Sequence, residues 1–133
     1  MSIGLKKILS EISAGELLDK LTILEIKREK IKEKSSQAEI IKEYKVLKEV
    51  QKKNIEINEE LKKLIEELKI VNLNLWDVED KLRICEKNKN FDEAFIQLAR
   101  DVYFNNDKRS KIKSKINETL GSNIKEVKKY ASY

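Results

Sequence analysis

The sequence has no histidine, no proline, a single cysteine and only three glycines in 133 residues. Each shortage removes a class of fold or function. Without histidine there is no imidazole acid–base chemistry, no Ser-His-Asp triad and no common zinc site. The Glu-x-x-His ligand pattern of ferritin-like di-iron bundles is missing as well. One cysteine, Cys85, leaves no intramolecular disulfide, CxxC redox pair or thiolate cluster. Between Leu82, Ile84 and their helical neighbours it reads as a small buried apolar residue rather than a nucleophile. With no proline, and with Gly4, Gly15 and Gly121 as the only glycines, the regular turn signals of an all-β chain are absent. No apolar run reaches the length of a membrane span. The first dozen residues, with Lys6 and Lys7, lack the apolar stretch of a secretory leader, so the chain reads as cytoplasmic. No metal and no cofactor is expected.

What remains is a chain in which charged residues make up 40% and hydrophobic residues another 40%. Lys, Glu, Ile and Leu dominate, a mixture typical of helical bundles and coiled coils. The apolar residues recur often enough to bury a continuous seam, which argues against disorder, and the length suits one domain spanning residues 1–133. The net charge of +5 is uneven: Lys108 to Tyr133 carries +6, leaving −1 for the rest. A basic end is compatible with a polyanion such as nucleic acid. A solvated lysine-rich face is the simpler account, since only Tyr130 and Tyr133 offer stacking surfaces there.

Helical starts and stops are written into the chain. Ser13-Ala14-Gly15-Glu16 has the spacing of a capping box, and Leu17, Leu21, Leu24 and Ile31 follow it at heptad spacing, predicting a helix over about residues 14–34. Ser35-Ser36 reads as a turn. Ser36 and Glu39 repeat the capping-box spacing and open a second helix over about 37–87, a rod of roughly 75 Å. Its seam runs through Ile40, Tyr44, Leu47, Gln51 and Asn54, then Ile57, Leu61, Leu64, Leu68, Val71, Leu75, Val78 and Leu82. The extra three-residue step from Asn54 to Ile57 marks a stammer, and Asn72-Leu73-Asn74 is the soft spot at which the rod could kink or break. Asn90 and Glu93 open a third helix over about 91–120, striped with Phe95, Leu98, Val102, Ile112 and Ile116. Asn105 and Arg109 stand on that stripe where leucines are expected. Gly121 is its C-cap, followed by a short tail over 122–133.

The expected architecture is therefore all-α, with long antiparallel helical hairpins in a coiled-coil-like three-helix arrangement. A single hairpin pair leaves its seams half covered, so self-association is expected to complete it. A compact three- or four-helix bundle broken at Asn72–Asn74 is the alternative. The fold-back lengths bring Glu16 and Asp19 toward Lys113 and Asn117.

Three stretches are chemically richer than a Lys/Glu helix requires. Glu16, Asp19 and Lys20 open the first helix; Trp76, Asp80 and Arg83 share one face of the second. In the third, Arg100, Tyr103 and Asp107 share a face, with Asn106, Arg109 and Lys113 adjacent. If the two faces meet, the ring of polar and aromatic groups could bind a sugar, nucleotide or carboxylate. The simpler account of the same residues is core aromatics and register-fixing ion pairs. Among enzymes, the small all-helical chorismate mutases are similar in length and in a Leu-rich helix with basic residues such as Arg28. The full set of basic residues that such a pocket needs is missing.

The blocks themselves resemble a known family. Ser13 to Lys27, Asn74 to Lys81, Leu98 to Tyr103 with Asn106 to Arg109, and Leu120-Gly121-Ser122 are similar to the signature of an uncharacterised bacterial family, domain of unknown function 6165. That resemblance implies no activity. It implies a setting near bacterial surface-polysaccharide and glycosyltransferase functions, as a cytoplasmic accessory. The expectation is a non-enzymatic helical interaction or ligand-binding module, acting as a homo-oligomer, with a protein partner or a small anionic or sugar ligand. A small helical enzyme, or a sugar-nucleotide- or carboxylate-binding protein using the same residues, is the competing reading. Nucleic-acid binding comes third.

Overall fold

A computed structural model describes residues 4–133. Ser13 begins the first helix as its sequence requires, extended at φ −71° and ψ 152°, its Oγ accepting the Glu16 N–H at 3.2 Å. Helix α1 spans Ala14–Lys30. It stops short of the expected residue 34 because Ile31 turns extended. Gln37 then takes up two carbonyls at the helix end, its Nε2 donating to Arg28 O at 2.8 Å and to Ile31 O. Helix α2, Lys34–Asn54, follows a three-residue turn and begins at Glu33 with no side-chain cap, so the Ser36–Glu39 spacing is not used as a helix start.

The long second rod is not continuous. It ends at Asn54, Ile55–Asn58 runs without helix, and α3 spans Glu59–Lys87. The break falls on the three-residue step in the seam. Continuing the helix there would carry the apolar stripe off the core. The chain instead stops, with Gln51 Nε2 donating to Ile55 O at 3.2 Å, and restarts at Asn58, whose Oδ1 accepts the Leu61 N–H at 2.8 Å. Glu59 and Glu60 add negative charge to the new N-terminus. Asn72–Asn74, the expected soft spot, lies inside unbroken helix.

Helix α4 spans Glu93–Leu120 and is capped by Asp92, not Asn90; Asp92 Oδ1 accepts from Ala94 and Phe95. Gly121 closes it in the left-handed conformation at φ 62° and ψ 44°. The result is an all-α fold of four helices rather than three, with no strand among the described residues.

Helix α1 is the central element. It packs against α2, α3 and α4, whereas α2 lies against α1 alone. Leu17, Leu18 and Leu21 of α1 meet Leu61, Leu64 and Leu68 of α3 and Ile116 of α4 in one buried cluster. Every buried residue of α3 lies in its first half, up to Asn72, and every buried residue of α4 lies in its last third, from Lys113. Beyond those points α3 and α4 run on as a two-helix arm of roughly 20 Å. In the arm Cys85, Leu82 and Phe95 are only half-buried, and Ile84, Phe91 and Ile96 are exposed.

The start of α1 lies unusually close to α4. A Cβ on Gly15 would sit 2.6 Å from the Lys113 carbonyl oxygen and 2.9 Å from Asn117 Oδ1. Gly15→Ala would gain about 1 kcal/mol of helix propensity, but backbone cannot yield as a side chain can. A net loss of about 1–2 kcal/mol is expected, read as a lower urea midpoint at unchanged slope. A stabilised variant would show that the two helices can separate freely.

Candidate functional site

The closeness of α1 and α4 creates a buried polar junction. Asp19 of α1 has no solvent exposure, and both of its oxygens are occupied. Arg109 of α4 forks onto it, Nε to Oδ1 at 3.0 Å and Nη2 to Oδ2. Asn72 of α3 donates to Asp19 Oδ1 at 2.9 Å and to Thr22 Oγ1 at 2.8 Å. Thr22 Oγ1 in turn donates to the Asp19 carbonyl at 2.8 Å. One shell further out, Lys113 Nζ lies 2.6 Å from Glu16 Oε2, 3.8 Å from Asp19 and 3.4 Å from Glu126 in the tail. The carboxylate of the capping box is thus spent on α4 rather than on the Ser13 amide. Asn117 Oδ1 accepts the Gly15 N–H at 2.7 Å, and Ser122 Oγ accepts that of Ala14 at 3.1 Å.

Next to this junction, where the arm leaves the core, a cavity of about 280 Å³ opens. Ile23 and Ile26 of α1 and Leu75 of α3 form apolar wall; Trp76, Glu79 and Asp80 line the α3 side and Arg109 the α4 side. Asn72 joins the cavity to the buried network.

The sequence-derived candidates divide between several places. Glu16, Asp19 and Lys113 meet at the junction, in line with the fold-back lengths, and Arg109 joins them there. Trp76 and Asp80 line the cavity with Arg109. Arg83 turns back to Glu79 on its own helix and Lys20 is exposed. Arg100 lies over the ring of Phe104, one turn along the same helix, at 5.7 Å. Tyr103, Asn106 and Asp107 line a separate space beneath the tail, where Tyr133 packs on Tyr103 and Phe104 and donates to Asp107. The single ring of Trp76, Arg100, Tyr103 and Asp107 is not formed, because Tyr103 and Asp107 lie against the tail and Arg100 lies over Phe104 of its own helix. Asn72, which the sequence marks only as a soft spot, and Thr22, to which it assigns no role, complete the junction. The available signal was an asparagine on the buried stripe of α3, next to Val71.

No group of three or more His, Cys, Asp or Glu that could hold a metal occurs among the described residues. Two of the basic residues in the Lys108–Tyr133 stretch, Arg109 and Lys113, are spent on internal ion pairs. Burial works against the charge on Lys113, but the Glu16 hydrogen bond and the field of Asp19 outweigh it and hold its pKa above the ordinary lysine value. For Arg109 the hydrogen bond to Asp19 is the leading cause and the shift is also upward.

Two outcomes follow from this geometry. Asp19→Asn leaves Arg109 and Lys113 facing a neutral amide and is expected to cost about 3 kcal/mol or more in urea unfolding; a cost within about 0.5 kcal/mol, as for a surface change, would contradict the matched burial of these charges. Because the folded pKa of Lys113 is raised, its contribution is complete below about pH 10.4 and fades as pH climbs through the folded value. The stability difference between wild type and Lys113→Met should therefore narrow in strongly alkaline buffer and stay level between about pH 7 and 9.

A model of one protein family, described as a family of unknown function, matches residues 8–133. No curated protein and no solved structure matches the chain. The match spans nearly all of the helical framework described above, and the chain belongs to the family of unknown function DUF6165.

Proposed function

We propose that this protein is a non-enzymatic helical interaction module that acts as a homo-oligomer, two copies pairing through the α3–α4 arm. The observation that carries this reading is surface. A compact monomer of 15.6 kDa should expose roughly 7,200 Å², yet the chain exposes 10072 Å². The excess, roughly 2,900 Å², is more than the ~800 Å² a protomer loses in a standard interface, and the exposed, non-helical ends of the chain supply part of it. The arm adds an apolar share of it: Ile84, Phe91 and Ile96 are 56%, 52% and 49% exposed, and no arm residue is buried. Acidic and basic residues are interleaved along it, from Asp77 and Lys81 to Asp92 and Arg100. A second copy can therefore lie alongside without facing a field of one sign.

The non-enzymatic part is supported by how the carboxylates are used. Asp19 is buried and hydrogen-bonded to Arg109 and Asn72, and Glu16 holds Lys113, so both carboxylates serve the packing of α1 on its neighbours. A cytoplasmic place as an accessory to bacterial surface-polysaccharide metabolism belongs to the same reading and rests on the family resemblance alone.

Light scattering at about 100 µM, a concentration where a stable pair with micromolar affinity is filled, should give twice the chain mass. Ile84→Glu combined with Ile96→Glu should return it to the chain mass with the far-ultraviolet helix signal kept. A wild-type monomer at that concentration would overturn the reading.

A further inference from the structure

The cavity at the root of the arm carries a second inference, independent of whether the arms pair. We infer that it is a binding site for a neutral, polyhydroxylated ring of monosaccharide size, held between Trp76 and the acceptors Asp80, Glu79 and Asn72.

The strongest indication is Asn72. It is 6% exposed and spends its amide hydrogens inward, on Asp19 and Thr22. Its carbonyl oxygen accepts nothing from the described residues. Every fully hidden side-chain N or O among them is bonded, so this oxygen keeps some solvent access, and Asn72 lines the cavity. An acceptor that keeps solvent access at the cavity wall can exchange its water for a hydroxyl donor of a ligand. Glu79 and Asp80 add carboxylate acceptors on the same wall.

The sign of the wall decides against an anion. Its one cation, Arg109, is already forked onto Asp19, so a phosphate or carboxylate entering here would meet Glu79 and Asp80 without a free countercharge. That removes the nucleotide and dicarboxylate ligands suggested by the sequence. An ammonium ion would satisfy the acceptors but give nothing to Arg109 Nη1. Among the described residues the only acceptor of that nitrogen is Asn106 Oδ1 at 3.5 Å, the limit of a hydrogen bond. A hydroxyl group both donates and accepts, and so serves Asp80, Asn72 and Arg109 together. The remaining wall is the Trp76 ring with Ile23, Ile26 and Leu75, which suits the C–H face of a sugar ring. At about 280 Å³ the space lies at the lower edge of small-molecule sites, enough for one ring and not for a nucleotide sugar.

Trp76 is the only tryptophan, so its emission reports this cavity alone. Titration with glucose, galactose, mannose and N-acetylglucosamine should give a saturable change for at least one of them. Half-saturation is expected on the order of 1 mM, as the efficiency of a ligand of about a dozen heavy atoms allows. The response should persist when salt is raised to about 0.5 M, because no net charge is exchanged. Asp80→Asn should weaken it about tenfold or more with the helix signal unchanged. Asp80 is exposed, which keeps this variant clear of the folding core. No saturable change with any of the four sugars up to about 100 mM would overturn the inference. So would a response confined to spermidine and lost in salt, which would make the cavity an amine site. The solution mass of the same sample separates this outcome from that of arm pairing.

Discussion

A carboxylate shut away from water has to be matched, and the whole arrangement of this protein turns on how Asp19 is matched. Its partners come from two other helices: the Arg109 fork from α4 and the Asn72 amide from α3. Ion pairs buried in this way add little stability over apolar packing, but they penalise every other register heavily. Leucines in the α1 stripe could slide by a turn against Leu61, Leu64 and Leu68 at modest cost. Asp19 cannot, because a one-turn slip would leave it buried and unpaired. The apolar cluster supplies the driving force and the polar junction selects the alignment.

That division of labour also explains why the molecule has two unlike halves. Where α1 is present, α3 and α4 are sealed by a third and central helix, and the buried residues are all found there. Where α1 ends its reach, the same two helices continue with the same apolar period, and among the described residues only the C-terminal tail, through Tyr133, lies on part of α4. The cavity sits at the boundary, one wall from the sealed half through Asn72 and Ile26, the other from the arm through Trp76 and Asp80. Residues at such a boundary are half-covered by construction. Polar groups facing a space there keep unspent hydrogen-bonding capacity that the interior would not tolerate.

Much of this was legible in the amino-acid order. The Ser13 cap, the Gly121 stop and the three-and-four spacing of Leu61, Leu64, Leu68 and Val71 each have a local cause, and the structure keeps all of them. The approach of Glu16 and Asp19 to Lys113 followed from helix lengths alone. The break at Ile55–Asn58 was visible only as an irregular step in the seam, and Asn58-Glu59-Glu60 is in hindsight a good helix start. Asn72 was misread as a weak point because an asparagine in a helix is locally unfavourable; its value lies in a partner 53 positions away. Periodicity shows which face of a helix is apolar and is silent about what covers it. For that reason the sequence groups Tyr103 with Trp76, although Tyr103 packs against the tail.

The junction of α1 with the end of α4 has one more consequence. The first amides of any helix lack partners within it, and here those of Ala14 and Gly15 are taken by Ser122 and Asn117, more than a hundred positions later in the chain. Asn117 also gives its backbone carbonyl to the Ser122 amide as α4 closes. The opening turn of one helix and the closing turn of another are therefore a single stitch. Neither can fray by itself, and amide hydrogens on both sides of it should exchange with solvent at a shared rate.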